Sequence, residues 1–400
     1  MTKDISSTPE ETPGLEKGVV ALMSAAAGIF VASIYYNQPM LGILARDFGV
    51  GHESVTQVPV LTQVGYAAGL LLIAPLGDRF ERRGLIVFTT ALLALSLLAA
   101  ALAPGLGTLV IVSLALGLTA TVAQQVLPMA AQLAPASQRG RVVGQVMAGL
   151  LTGILLARTV SGFVSEYANW RLMFGLAAAA TTLLGVLLAR RLPRVEPATV
   201  MSYTGIMRSL VQLAREHEQL RRSGIVQGLL FGGFVAFWAN LALFLEQPPF
   251  SAGSTVAGLL GVVGVVGVLA APLAGRLADK GGQRAVVLAG AGAVAVSFVC
   301  FALFRESWAV LIGGIVLMDV GLQAAMVSNQ SRVYALDAAA RSRLNTVYMT
   351  VMFTGGAIGA ALGARAFAHF GWAGVCIMGA LCSLLALCVE LKRPAPAAVA

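Results

Sequence analysis

Charge is scarce in this 400-residue chain. Only 11% of its residues are Asp, Glu, Lys or Arg, against about a quarter in a soluble globular protein, which excludes an ordinary water-facing surface. Histidine is scarcer still: His52, His217 and His369 are scattered, without the spacing that a zinc site needs. Cys300, Cys376, Cys382 and Cys388 all fall in apolar runs, where a small buried hydrophobe is the ordinary reading and no disulfide or metal framework is implied. No G-x-x-x-x-G-K-S/T loop is present to cradle a nucleotide phosphate, and paired carboxylates or clustered histidines for catalysis are missing. These absences speak against an enzyme or an ATP-driven machine, and no cofactor is expected.

What is present is apolar. With 58% hydrophobic residues and a mean hydropathy of +0.84, the chain belongs in a bilayer, where a spanning helix needs about 20 apolar residues. Runs at 18–44, 55–77, 84–103, 107–131, 142–165 and 170–190 predict six spans, and runs at 224–245, 254–275, 285–304, 308–328, 344–367 and 371–391 predict six more. The formal charge of +9 is distributed by side: of the Lys and Arg, only Arg46, Arg171, Arg305 and Arg365 lie near the opposite face and Arg158 lies within a span. Positive charge marks the cytoplasmic side, so both termini are expected in the cytoplasm. The excess is topology, and no nucleic-acid partner is expected.

The first sixteen residues, MTKDISSTPEETPGLE, are polar and acidic and do not read as a signal peptide; a short disordered tail is expected. Between the halves, 191–222 turns basic and polar and holds an amphipathic stretch at 206–220. Its apolar residues Ile206, Leu210, Leu213 and Leu220 predict a helix lying on the inner membrane surface or a solvated connector. Gly149 and Gly153, Gly258, Gly261, Gly264 and Gly267, and Gly355, Gly359 and Gly363 recur every three or four residues, as close helix packing requires.

The chain is written twice. The charged turn APLGDRFERR at 74–83 has a looser copy, GRLADKGGQR, at 275–284, and Asp78 and Asp279 are 201 positions apart. Trp170 and Trp372, and the pairs Arg139 with Arg141 and Arg341 with Arg343, repeat at an offset of 202. The turn resembles the signature loop of the major facilitator superfamily, G-x-L-A-D-R/K-x-G-R/x-R/K between helices 2 and 3. Gly275, Leu277, Ala278, Asp279, Lys280, Gly282 and Arg284 stand where that pattern asks, while Ala74, Gly77 and Glu81 replace its Gly, Ala and Gly in the first copy.

The resemblance implies an all-α membrane protein of twelve transmembrane helices in two pseudo-symmetric six-helix bundles, with the substrate site between them near the midplane. The expected domains are a tail at 1–17, a first bundle at 18–190, the cytoplasmic linker at 191–222, a second bundle at 223–393 and a tail at 394–400. A secondary transporter of the inner, plasma-membrane type is implied, working as a monomer on a small-molecule substrate by alternating access. The stretch at 149–162 partly resembles the helix 5 signature of proton-driven drug antiporters, G-x-x-x-G-P-x-x-G-G: Gly149 and Gly153 match, while Ile154 and the pair Ala157, Arg158 depart from it. General similarity to drug and sugar efflux members adds to this, so export by proton antiport is the main expectation, and import or facilitated passage of an organic anion the alternative. A receptor or scaffold without transport is a distant third.

A charge at the bilayer centre costs roughly 2.5 to 3.5 kcal/mol even on the lenient insertion scale, so each one there asks for a reason. Arg158 aligns with Ala360 in the repeat, and it is read as binding an anionic substrate or controlling a proton site; a structural ion pair or snorkelling is the alternative. Asp319, with Gln323 a turn below, is the only carboxylate placed well inside a span, and it is the expected proton carrier unless a salt bridge holds it permanently. Glu246 at the outer end of the seventh span is a weaker candidate. Tyr35, Tyr36, Asn37, Gln38, Gln124, Gln125, Trp238, Asn240, Asn345 and Tyr348 are candidates to line a cavity, and Pro39 after the first four frees a carbonyl in that span. The resemblance further implies gating pairs made by Asp78, Arg79, Arg82 and Arg83 and by Asp279, Lys280 and Arg284, with fixing of topology as the plainer alternative.

Overall fold

The computed structural model describes residues 16–135, 137–195, 201–264, 282–337 and 340–392. Among them there are helices and turns and no strand. Nine helices of the described residues are long and apolar enough to cross a membrane. The longest, Arg341–Leu391, is two helices joined at Gly371, whose φ of 60° and ψ of −153° turn the chain just before Trp372; only glycine takes such a φ without steric cost. Here the last two expected spans are separated where the sequence places their boundary.

Other expected spans are broken by turns. The first divides into α1 (Lys17–Ala32) and α2 (Leu41–Phe48), separated by a turn over 33–40 that contains Pro39. Proline donates no N–H and disfavours helical backbone in the residue before it, so the chain tightens there through bonds such as Tyr35 N–H to the Ala32 carbonyl at 2.9 Å. The second span comprises α3 (His52–Val55), α4 (Gln57–Leu72) and α5 (Leu76–Arg79), followed by α6 (Arg82–Ala101). The fourth divides at Thr121 into α7 (Leu106–Ala120) and α8 (Ala123–Leu133), and α9 (Arg139–Tyr167) and α10 (Trp170–Arg191) close the first half of the chain.

The second half begins with α11 (Tyr203–Glu216) and α12 (Glu218–Leu245). The apolar face of α11 meets protein: Leu213, together with Leu220 from α12, packs with Val333, Leu344 and Tyr348. Ile206 and Leu210 are buried as well, so the expectation that this apolar face lies on the membrane surface is corrected: α11 packs on protein with that face. Next come α13 (Ser254–Val263), α14 (Gln283–Leu303), α15 (Trp308–Tyr334) and α16 (Arg341–Leu391). The rest of the expected span 254–275, with Gly267, Asp279 and Lys280, lies outside the described residues.

Glycines set the closest packing. A Cβ on Gly153 of α9 would sit 2.2 Å from the Gly28 carbonyl oxygen of α1, and one on Gly359 of α16 would sit 2.1 Å from that of Gly232 in α12. The same backbone-on-backbone approach thus occurs in both halves of the chain. Across the halves, α9 packs on α13 and α4 on α16. The apolar window of α12 is 94% buried, whereas the other eight candidate spans range from 33% to 50%, so α12 is an interior helix and the others present an apolar side outward. Residues such as Ile111, Phe163, Leu183 and Ile358 supply that outer surface.

Candidate functional site

Two charges lie at matching depth. Arg158 is nine residues from the end of α9 and Asp319 eleven from the start of α15, and at 1.5 Å per residue both sit about 15 Å from the same face. Half of a 30 Å hydrocarbon core is about 15 Å, so both are near the midplane. Both line one cavity of about 180 Å³ together with Tyr35, Tyr66, Phe234 and Trp238.

The Arg158 side chain is held without being neutralised. It is 3% exposed, its Nε donates to Gln38 Oε1 at 2.8 Å, and its guanidinium carbon lies 4.3 Å from the Trp238 ring centre and 4.8 Å from that of Tyr35. Each desolvated cation–π contact contributes up to about 2 kcal/mol, enough for two of them and a hydrogen bond to offset the insertion cost quoted above. Its Nη2, however, has no hydrogen-bond partner among the described residues.

Asp319 is 9% exposed, and its Oδ2 likewise has no partner among the described residues. No ion pair within 4 Å joins Asp319 to Arg158 or to any other described residue. Both charges are backed by α13: a Cβ on Gly261 would stand 3.1 Å from the Arg158 Cβ, and one on Gly264 3.1 Å from Asp319 Oδ2. The glycine run of α13 leaves room for both side chains.

The other candidates divide. Gln323 and Trp238 line the cavity, and so does Gln124, whose amide donates to the Tyr66 hydroxyl at 3.1 Å. Asn345 lines that cavity too, and with Gln125 also lines a second cavity of about 390 Å³, which shares Gln124, Leu127, Tyr334, Asn345 and Met349 with the first and reaches Asp78, Arg82 and Arg341. The lining residues thus continue from the midplane to the basic face. Tyr36, Asn37 and Asn240 are turned elsewhere: Tyr36 lies against α9, Asn37 donates to Thr62 Oγ1 at 2.9 Å, and Asn240 donates to the Ala236 carbonyl at 2.8 Å. Tyr348 is fully buried against α11.

On the opposite face the two halves are bridged. Glu246 pairs there with Arg46 at 3.1 Å, outside the cavity. Glu166 of α9 accepts from the Thr255 N–H at 2.6 Å, at the start of α13, and Thr159 donates to the Gly258 carbonyl at 3.0 Å.

At the basic face Asp78 pairs with Arg82 of its own loop at 3.0 Å, Arg79 lies over the Phe80 ring, and Arg83 donates to the Ala189 carbonyl. Arg284 donates to the carbonyls of Glu390 and Leu391. Glu81, which departs from the signature, caps α6 by accepting from the N–H groups of Arg83 and Gly84 at 2.8 and 2.7 Å. Sequence reading missed a charged cluster here: Glu390, 1% exposed, pairs with Arg332 at 2.9 Å and Arg222 at 3.7 Å. A carboxylate in the apolar run before Lys392 was the available signal, but its partners lie 58 and 168 positions away.

Comparison with known proteins adds the lineage. The sequence model of the Major Facilitator Superfamily matches residues 23–280 and again 225–400. The chain is 40% identical over 375 residues to an uncharacterized transporter, YgaY, of Escherichia coli O157:H7, covering 94% of this chain and 95% of that one. It is 34% identical over 378 residues to the probable transporter SCO4007 of Streptomyces coelicolor, covering 94% and 87%. In three dimensions it is similar to a variant of the nucleoside transporter NupG, with a TM-score of 0.73 at 13% identity over 93% of this chain and 100% of the other.

Proposed function

The chain belongs to the major facilitator superfamily and is a multi-pass membrane transporter, and from that premise we propose that it exports a small organic solute by alternating access with protons as the counter-ion. The observation that carries this reading is Asp319: a carboxylate at midplane depth, in the wall of the cavity, with a free oxygen and no ion pair among the described residues. A carboxylate locked in a salt bridge would keep its charge through the cycle. An unlocked one is free to exchange its charge for a proton as the cavity changes sides.

The remaining roles follow. Arg158, Trp238, Tyr35, Gln124 and Gln323 bind the solute, and Gln38 orients Arg158. The expected location is the inner membrane of a bacterial cell, with the basic face in the cytoplasm, both termini there and a monomer as the working unit. In that orientation the cavity communicates with the cytoplasm, and Arg46–Glu246 and Glu166–Thr255 are contacts that part when the other state forms. Asp78, Arg82 and Arg83 close the basic face in that state, with Asp279, Lys280 and Arg284 as their counterparts.

The test compares, by untargeted mass spectrometry, medium and cell contents of cells making the wild type or Asp319→Asn at equal membrane abundance. A compound enriched outside only with the wild type is the expected result. Equal profiles in the two strains would remove Asp319 from coupling. The second reading, an importer or facilitator of an organic anion, is favoured by the Nη2 of Arg158, which has no partner among the described residues, and predicts enrichment inside.

A further inference from the structure

The cavity holds a guanidinium and a carboxyl group that are not joined in an ion pair, and when Asp319 is ionised this constrains the ligand. Arg158 and Asp319 are each at least nine-tenths buried, line the same cavity, and each offers one polar atom without a partner among the described residues. An unsatisfied buried charge is costly, so the ligand that gains most is the one satisfying both. A monoanion would answer Arg158 and face Asp319 with like charge; a monocation would do the reverse. A neutral apolar molecule would leave both unanswered.

The walls define the ligand's middle. Tyr35, Phe231, Phe234, Trp238, Phe353 and Met352 supply aromatic and thioether surface, which stacks on flat or branched apolar groups. Arg158 is also fixed before any ligand arrives, because Gln38, Tyr35 and Trp238 hold its guanidinium, so little ordering entropy is lost on binding.

We propose that the solute is a small zwitterion, net neutral, with an apolar and preferably aromatic body between a carboxylate-type anionic end bound by Arg158 and an ammonium-type cationic end bound by Asp319. It rests on the reading of this cavity as the transport site and names the substrate class for it. The cationic end and a proton are then alternative occupants of Asp319. Exclusion of one by the other is what couples solute exit to proton entry.

The experiment measures equilibrium binding to the purified full-length protein by quenching of tryptophan fluorescence, with three probes that share one ring: para-(aminomethyl)benzoate, para-methylbenzoate and para-methylbenzylamine. L-phenylalanine is added as a zwitterion with closer charges. Expected is binding of at least one zwitterion about tenfold or more tighter than either singly charged probe, or about 1.4 kcal/mol. Arg158→Ala should lower the zwitterion to the level of the amine, and Asp319→Asn to that of the carboxylate, in variants whose melting midpoint matches the wild type. Should a variant fail to fold, the wild-type ranking decides alone. Equal or tighter binding of a singly charged probe, or no binding of either zwitterion, overturns the proposal. Because this readout needs no transport, a selective zwitterion site without proton-linked efflux would refute the export reading and leave this one standing.

Discussion

Arg83 and Arg284, 201 positions apart, do the same work: each reaches the carbonyl end of the last helix of its half, Arg83 at Ala189 and Arg284 at Glu390 and Leu391. The final carbonyls of a helix lack intrahelical partners and carry the negative end of its dipole. A guanidinium at that point satisfies both. The repeat seen in the sequence is therefore a repeat of contacts, and a basic residue of each loop terminates a helix.

The second copy of this arrangement carries a buried charge. Glu390 has a side chain 2% exposed and faces Arg332 and Arg222. Replacing it with Gln strands two largely buried guanidiniums, and breaking a buried pair costs about 3 to 5 kcal/mol. Glu390→Gln should lower the thermal midpoint of the detergent-solubilised protein markedly, and Arg332→Gln added to it should cost less than the sum of the two. Additive losses would show that the groups are not coupled.

Glycine contacts between α1 and α9 make a second prediction. Because a Cβ on Gly153 would meet the backbone of Gly28 at 2.2 Å, neither neighbour can yield by rotating a side chain. Gly153→Ala should destabilise by about 1 to 3 kcal/mol. Gly175 in α10 meets nothing within 4 Å, and Gly175→Ala should be neutral or stabilising by up to about 1 kcal/mol. The pair of melting curves checks both.

Glu81 predicts a pH dependence. Partial burial pushes its carboxyl up, but the N–H groups of Gly84, Arg83 and Val195 and the nearby Arg83 charge outweigh that and hold it below its ordinary value of 4.5. A folded value below the unfolded one means stability that is fully present above 4.5 and is lost as pH falls through the folded value. Glu81→Ala should cost about 1 kcal/mol at neutral pH, and Glu81→Gly, which restores the residue of the family pattern, only a few tenths. The difference should vanish in acid, as read from melting midpoints across a pH series.

The gating role proposed for Asp78 can be tested. Its pairing with Arg82 within the loop, at 3.0 Å, sets the Arg82 side chain where it lines the cavity mouth. Asp78→Asn should shift the balance between the two access states by about 1 kcal/mol, roughly fivefold. Distance measurements between spin labels on the two halves at the basic face report this shift; an unchanged distribution assigns Asp78 to topology alone.

Much of the architecture is legible in the residues. Apolar runs, the one-sided distribution of Lys and Arg, the repeated turn and the glycine spacings depend on local composition and period, which a bilayer enforces because backbone groups there must bond within helices. The sequence by itself thus determined the helical membrane class, the family, the helix boundary at Gly371 and the presence of two midplane charges, since a charge in an apolar run is visible without its partners. Tertiary structure decided what each charge meets: that Arg158 is held by Gln38, Tyr35 and Trp238, that Asp319 lines the same cavity without pairing with it, that Glu246 binds Arg46 elsewhere, and that Glu390 gathers Arg222 and Arg332. Those partners are brought together from distant helices by packing, and no local period of the chain records them.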